Sequence, residues 1–173
     1  MKYNIRLACV KDLNKLCSIR NNRDLFSRYI QLQEKKEIYL VIAEDEYHLL
    51  GFGVLKIKGA LAPKLSDLYV KEEFRGNGVG SALIKYREEI ARDLYFLEIF
   101  VSVDPIENPK MIRLINKHGY NAISRPYLKT AIYYRTDGST YDKTYTRIDL
   151  KKLLGSCSKN TKCNLNNEEA TKC

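Results

Sequence analysis

Tyr3, Ile5 and Leu7 alternate with polar neighbours at the start of the chain, a period-2 pattern that predicts a β-strand. The period then lengthens. Val10, Leu13, Leu16 and Cys17 recur at helical spacing. Leu25, Phe26, Tyr29, Ile30 and Gln33 repeat it, with Asn22 placed to cap the second helix. "EIYLVIAE" and "LLGFGVLKIKG" are β-rich runs separated by the acidic, turn-forming "DEYH", which predicts a hairpin, and "KLSDLYV" after Pro63 predicts the next strand. Beyond a glycine segment, Val79, Leu83, Tyr86 and Ile90 form an apolar stripe opposite Lys85, Arg87, Glu88, Glu89 and Arg92, the mark of an amphipathic helix. Odd positions from Tyr95 to Val103 are all apolar and predict a strand, ended by Asp104-Pro105. Asn108, Pro109 and Gly119 bracket a further helix as cap, first residue and stop. "YNAISRP", "LKTAIYYRT" and "TYTRIDL" predict strands with one hairpin.

The order β-α-α-β-β-β-α-β-α-β-β predicts an α/β chain. Its first half is antiparallel, and a central strand–turn–helix–strand unit crosses over right-handed. Residues 1–154 read as one domain, and the polar, aperiodic residues 155–173 as a disordered tail. With 45% hydrophobic and 29% charged residues the composition is that of a globular protein. No apolar run approaches a membrane span and Met-Lys-Tyr-Asn-Ile-Arg is not a signal peptide, so a cytoplasmic location without a membrane partner is expected.

Of the five cysteines, Cys9 and Cys17 read as small core residues, while Cys157, Cys163 and Cys173 fall in the tail at no zinc spacing. His48 and His118 lack metal-ligand companions, so no metal is expected. The formal charge is +9, of which the segment after Leu154 carries +1. A positive body suits an anionic partner (nucleotide, nucleic acid or acidic protein), or is solubility charge spread over the surface.

"EEFRGNGVGSALI", residues 72–84, places Gly76, Gly78 and Gly80 where that amphipathic helix begins. Bare backbone N–H groups at a helix start make an anion cradle, and Arg75 adds a full charge at its rim. The nucleoside triphosphate loop is excluded because no Lys-Ser or Lys-Thr follows the glycines. The dinucleotide fingerprint is excluded because the third glycine comes one residue early. What fits is R-x-x-G-x-G: Arg75, Gly78 and Gly80, with "DLYV" before it and an apolar helix after it. This resembles the acyl-CoA-binding motif of the GNAT family of N-acetyltransferases. "NPKMIRLINKHGY" resembles the family's next motif, and the likeness runs from about Tyr3 to Leu154.

The resemblance implies a mixed, mainly antiparallel central sheet splayed around a parallel strand pair and flanked by helices. It implies acetyl-CoA as co-substrate and an amine as acceptor. The pyrophosphate would lie on Arg75, Gly76, Asn77, Gly78, Val79, Gly80 and Ser81. The pantetheine arm would lie on the main chain of Leu68, Tyr69 and Val70, with Asn108 at its far end. In the family a tyrosine seven residues after that asparagine often protonates the leaving thiolate; here the position is Ile115. In the diamine-acetylating branch a glutamate–aspartate pair stands where this chain has Ser66 and Asp67.

Asp67 is therefore the candidate base, or grip for a cationic substrate; the alternative is a cap or salt bridge at the sheet edge. Tyr69, Tyr127, Tyr133 and Tyr134 are candidates for the missing acid, with Tyr134 chosen as catalytic beside Asp67. The leading expectation is an N-acetyltransferase acting on a primary amine of a small molecule or a peptide. A non-catalytic acyl-CoA sensor, or an acetyltransferase acting on charged tRNA, is the alternative. Nucleic acid is the less favoured partner, a homodimer is left open, and the positive body argues mildly against polyamine acceptors.

Overall fold

The computed structural model describes residues 2–134 and 139–155, apart from the side chains of Tyr133 and Tyr134. The first alternation becomes β1 (Asn4–Leu7), and the two β-rich runs become β2 (Ile38–Glu44) and β3 (Leu49–Lys56). Asp45 shapes the turn of that hairpin, its Oδ1 accepting from the N–H groups of Tyr47 and His48 at 2.9 and 2.7 Å. β4 (Lys64–Val70) completes an antiparallel run β1-β2-β3-β4. α3 (Val79–Asp93) carries the chain from β4 to its parallel neighbour β5 (Glu98–Val103). The fold is mixed α/β, a mainly antiparallel sheet with one parallel pair and flanking helices.

Two compact units divide the described residues: one up to Ile99 together with 153–155, the other Phe100–Lys152. In the first, α1 (Leu13–Ile19) and α2 (Arg23–Glu34) cover a core that includes the fully buried Leu16, Phe26, Leu40, Ile42, Phe52 and Val54. Burying each such side chain contributes about 1.5–3 kcal/mol. Asn22 caps α2 as expected, its Oδ1 accepting from Leu25 N–H at 3.0 Å. Gln33 ties β2 to the residue that follows β1: its Nε2 donates to Ala8 C=O and its Oε1 accepts from Leu40 N–H, both at 2.7 Å.

Three expectations are corrected. Val10 is 62% exposed, because Val10–Asp12 is a 3-10 turn that rolls Asp12 inward instead. The strand foreseen from Tyr95 begins at Glu98. α3 closes with Phe96 N–H on Ala91 C=O and Tyr95 in the left-handed region at φ +63°, so the helix stop consumes those residues. Arg87 and Glu88, assigned to the polar face of α3, are buried, and Ile84 and Ala91 join the apolar face.

Asp12 is 3% exposed and takes a bidentate pair from Arg6, 2.7 Å from Nη1 and 2.8 Å from Nη2, while Arg6 Nε holds Glu44 at 2.7 Å. Burial pushes the Asp12 carboxyl up, but the Arg6 and Cys9 hydrogen bonds more than offset this and hold it below its ordinary value. The stability it contributes is therefore present above the unfolded pKa of about 3.9 and lost as pH falls through the lower folded value. Arg6→Met should lower the unfolding free energy at neutral pH by roughly 1–3 kcal/mol. Acid unfolding followed by circular dichroism should also begin at higher pH in that variant.

The second unit holds most of β5, then α4 (Pro109–Lys117), the two-residue β6 (Asn121–Ala122), β7 (Tyr127–Tyr134) and β8 (Thr140–Leu153). β6 and β7 both pair antiparallel with β8. Gly119 stops α4 at φ +84°, and Tyr120 N–H closes on Ile115 C=O at 3.3 Å. Of the expected tail only Gly155 is described, so Cys157, Cys163 and Cys173 lie outside the described residues.

Candidate active site

β4 ends in a 3-10 turn at Glu72–Phe74, after which the chain must reverse into α3. Gly76 and Gly78 make the reversal at φ +83° and +82°, a region that L side chains rarely adopt. A Cβ on Gly76 would meet nothing within 4 Å, and one on Gly78 only Tyr3 Oη at 3.6 Å. The space above both is therefore open, a cradle that a side chain would fill. Gly78 is the N-cap and no side chain caps α3, whose first helical bond is Ala82 N–H to Gly78 C=O at 2.9 Å. The N–H groups of Gly78, Val79 and Gly80 precede that bond and lie at the positive end of the helix dipole. Asn77 closes the loop through contacts to Phe74 and Arg75 C=O at 3.4 Å. Arg75 is exposed; its Nε donates to Val70 C=O at 3.0 Å and its Cζ lies 6.0 Å from the centre of the Tyr69 ring. Together these residues can hold a phosphate or pyrophosphate.

β4 is not a regular strand. Phe52 pairs with Tyr69 and Val54 with Ser66, so Asp67 and Leu68 together oppose Gly53 in a β-bulge. Asp67 sits there at φ +42°, exposed, and its Oδ2 accepts the hydroxyl hydrogen of Tyr29 from α2. The cap or salt-bridge alternative for Asp67 is not what the described residues show; its partner is a phenol. Burial, then the hydrogen bond to Asp67 and its charge, push the Tyr29 phenol well above its ordinary range, with Arg20 and Arg28 opposing. Tyr29 is the residue that pattern reasoning missed. Its helical spacing marks it as core, and nothing local announces a partner 38 residues away.

Glycines in the middle of β3 mark two close approaches. A Cβ on Gly51 would stand 2.5 Å from Tyr69 C=O, and one on Gly53 2.7 Å from Arg87 Cζ. Between them Phe52 stacks near Tyr69 at 6.0 Å and meets Phe26 edge-on at 5.2 Å, so the aromatic packing under the bulge is continuous with the core.

In the second unit Asn108 is the N-cap of α4 by position, but its side chain is exposed and makes no capping bond. Asp104 builds the turn before it, its Oδ1 accepting from the N–H groups of Ile106 and Glu107 at 2.9 Å. Ile115, seven residues after Asn108, is 0% exposed. Tyr127 donates to the Asp149 carboxylate at 3.1 Å, and Ser102 Oγ meets the same carboxylate at 2.5 Å. Tyr134 pairs with Thr140 through its backbone, and its side chain, like that of Tyr133, lies outside the described part. Among the described residues no group of three metal-ligating side chains occurs, and no helix is long and apolar enough to cross a membrane.

The model of the acetyltransferase (GNAT) family matches residues 7–120. An N-acetyltransferase from Staphylococcus aureus Mu50 superposes with a TM-score of 0.70 at 17% identity, covering 90% of this chain and 100% of that one. A phosphinothricin acetyltransferase of the GNAT superfamily from Sinorhizobium meliloti, determined in complex with acetyl-CoA, gives 0.68 at 18% identity over 90% of each chain. The PaiA N-acetyltransferase from Thermoplasma acidophilum, determined with coenzyme A, gives 0.65 at 19% identity, with 88% of this chain and 99% of that one covered. These likenesses show the fold. No match was found among curated protein sequences.

Proposed function

Because the chain belongs to the acetyltransferase (GNAT) family, we propose that it is an acetyl-CoA-dependent N-acetyltransferase acting on a primary amine of a small molecule or a peptide. The observation that carries this reading is the open cradle over Gly76 and Gly78, set on the N-terminus of α3 with Arg75 beside it. The residues fit the group: Arg75, Gly76, Asn77, Gly78, Val79, Gly80 and Ser81 would hold the pyrophosphate of acetyl-CoA, Leu68, Tyr69 and Val70 its arm, and Asn108 the far end. Bound there, acetyl-CoA supplies the thioester that an amine attacks.

An alkyl ammonium with a pKa near ~10.4 has to lose its proton before it can attack. Asp67, exposed in its bulge, is the carboxylate that grips the ammonium and takes or relays that proton. Tyr29 holds the carboxylate in place by donating to Oδ2. Tyr134 remains the proposed proton donor to the departing thiolate, and Tyr134→Phe its test. A thiol pKa near ~8.5 makes that thiolate a tolerable leaving group even without a donor.

The second reading, a non-catalytic acyl-CoA sensor, draws on Ile115, which is buried and carries no proton to give. Acetyl-CoA supplied with a panel of small amines, aminoglycosides and peptide N-termini, read by mass, separates the two. Acetylation of one acceptor class at its amine is the expected result. CoA binding with no product from any acceptor would establish the sensor, and no CoA binding would overturn both.

A further inference from the structure

Arg87 on α3 is 0% exposed, an uncommon place for a guanidinium. Its Nε donates to Leu83 C=O in its own helix at 2.9 Å, and its Nη1 donates to Val54 C=O and to Ser66 C=O, each at 3.0 Å. Val54 and Ser66 are opposite one another, the last regular pair before the bulge. The next residue along β4 is Asp67, and the ladder resumes at Phe52 and Tyr69. The single residue facing the bulge is Gly53, where a Cβ would lie 2.7 Å from Arg87 Cζ and 2.8 Å from Nη1. Glycine is needed there so that the guanidinium can sit against the strand.

A bulge frees backbone groups from the ladder, and buried carbonyls must find donors elsewhere. Arg87 donates to one carbonyl of β3 and one of β4 through the single nitrogen Nη1, with the guanidinium plane anchored by Nε to its own helix. We propose that Arg87 is a positioning residue: seated against Gly53, it fixes the β4 bulge and so holds Asp67 in its left-handed conformation with the carboxylate against Tyr29. The catalytic consequence rests on the role proposed above for Asp67, whereas the geometric part does not.

Arg87→Met, Arg87→Lys and Gly53→Ala test this, with Leu83→Ala as a control that removes packing from the same helix. The first readout is the ionisation of Tyr29 by 13C NMR, its resonance assigned with Tyr29→Phe. Tyr29 faces Asp67, Arg20 and Arg28, so loss of the Asp67 contact should bring its titration down, as Asp67→Asn should also do. Arg87→Met and Gly53→Ala are expected to do so and to lower kcat by about tenfold or more, with the Kd for CoA unchanged. Arg87→Lys, which keeps a charge and donors, should recover part of both. Leu83→Ala should lower the Tm without moving Tyr29.

If the Tyr29 titration is unmoved in whichever of the three variants folds, the proposal is overturned. If the wild-type protein acetylates no amine, the enzyme reading falls, and the Tyr29 titration still decides the role of Arg87.

Discussion

Gly78→Val is expected to weaken CoA binding by well over tenfold, more than about 1.4 kcal/mol, in a protein that still folds. Gly78 stands at φ +82°, so valine there adds backbone strain of about 1–3 kcal/mol. Sterically the protein has room, because the new Cβ would meet only Tyr3 Oη at 3.6 Å. What it would fill is the space above the first N–H groups of α3. Gly59 provides the control: at φ +100°, and with nothing within 4 Å of where a Cβ would stand, it carries the same conformational demand outside the loop. Gly59→Val should lose comparable stability and keep its affinity in calorimetric titration with CoA. Wild-type affinity in a folded Gly78→Val protein would remove the basis for placing the cofactor on this loop.

Much of the fold is legible because it is local. Alternation marked β1, paired turn residues marked the β2–β3 hairpin, and Asn22 and Gly119 punctuated their helices through single bonds within a few residues. The glycine loop was legible for the same reason: Gly76 and Gly78 are glycines because of their own φ. The bulge was not, since it is defined by register between strands. Arg87 lay halfway between. Its spacing of four from Leu83 and three from Ile90 places it on the buried stripe as well as Tyr86 does, but charge argued for the opposite face. Only the strand beneath, with Gly53 making room and two carbonyls needing donors, overrides that preference. Tyr29 and Asp67 meet through the same register, so their pairing is tertiary information.

Asp67→Asn is the substitution that isolates charge at this site. Asparagine accepts φ +42° about as readily as aspartate and keeps an oxygen for the Tyr29 hydroxyl, so the bulge should persist. If Asp67 handles the proton of the acceptor amine, kcat should fall by about a hundredfold or more, while the Kd for CoA stays at its wild-type value. The pH dependence carries an independent signature. Burial, the Asp67 hydrogen bond and the Asp67 charge raise the Tyr29 phenol in the folded protein. Its contribution to stability is thus complete below the unfolded value of about 10 and is lost as pH rises toward the higher folded value. Removing the charge should lower that folded value and flatten the loss of stability above about pH 10, measured by denaturant unfolding at a series of pH values. An active Asp67→Asn enzyme with wild-type kcat across pH would make Asp67 a structural partner of Tyr29 and no more. A fall in kcat with unaltered CoA affinity and a lowered Tyr29 titration is the outcome that places the carboxylate in the chemistry.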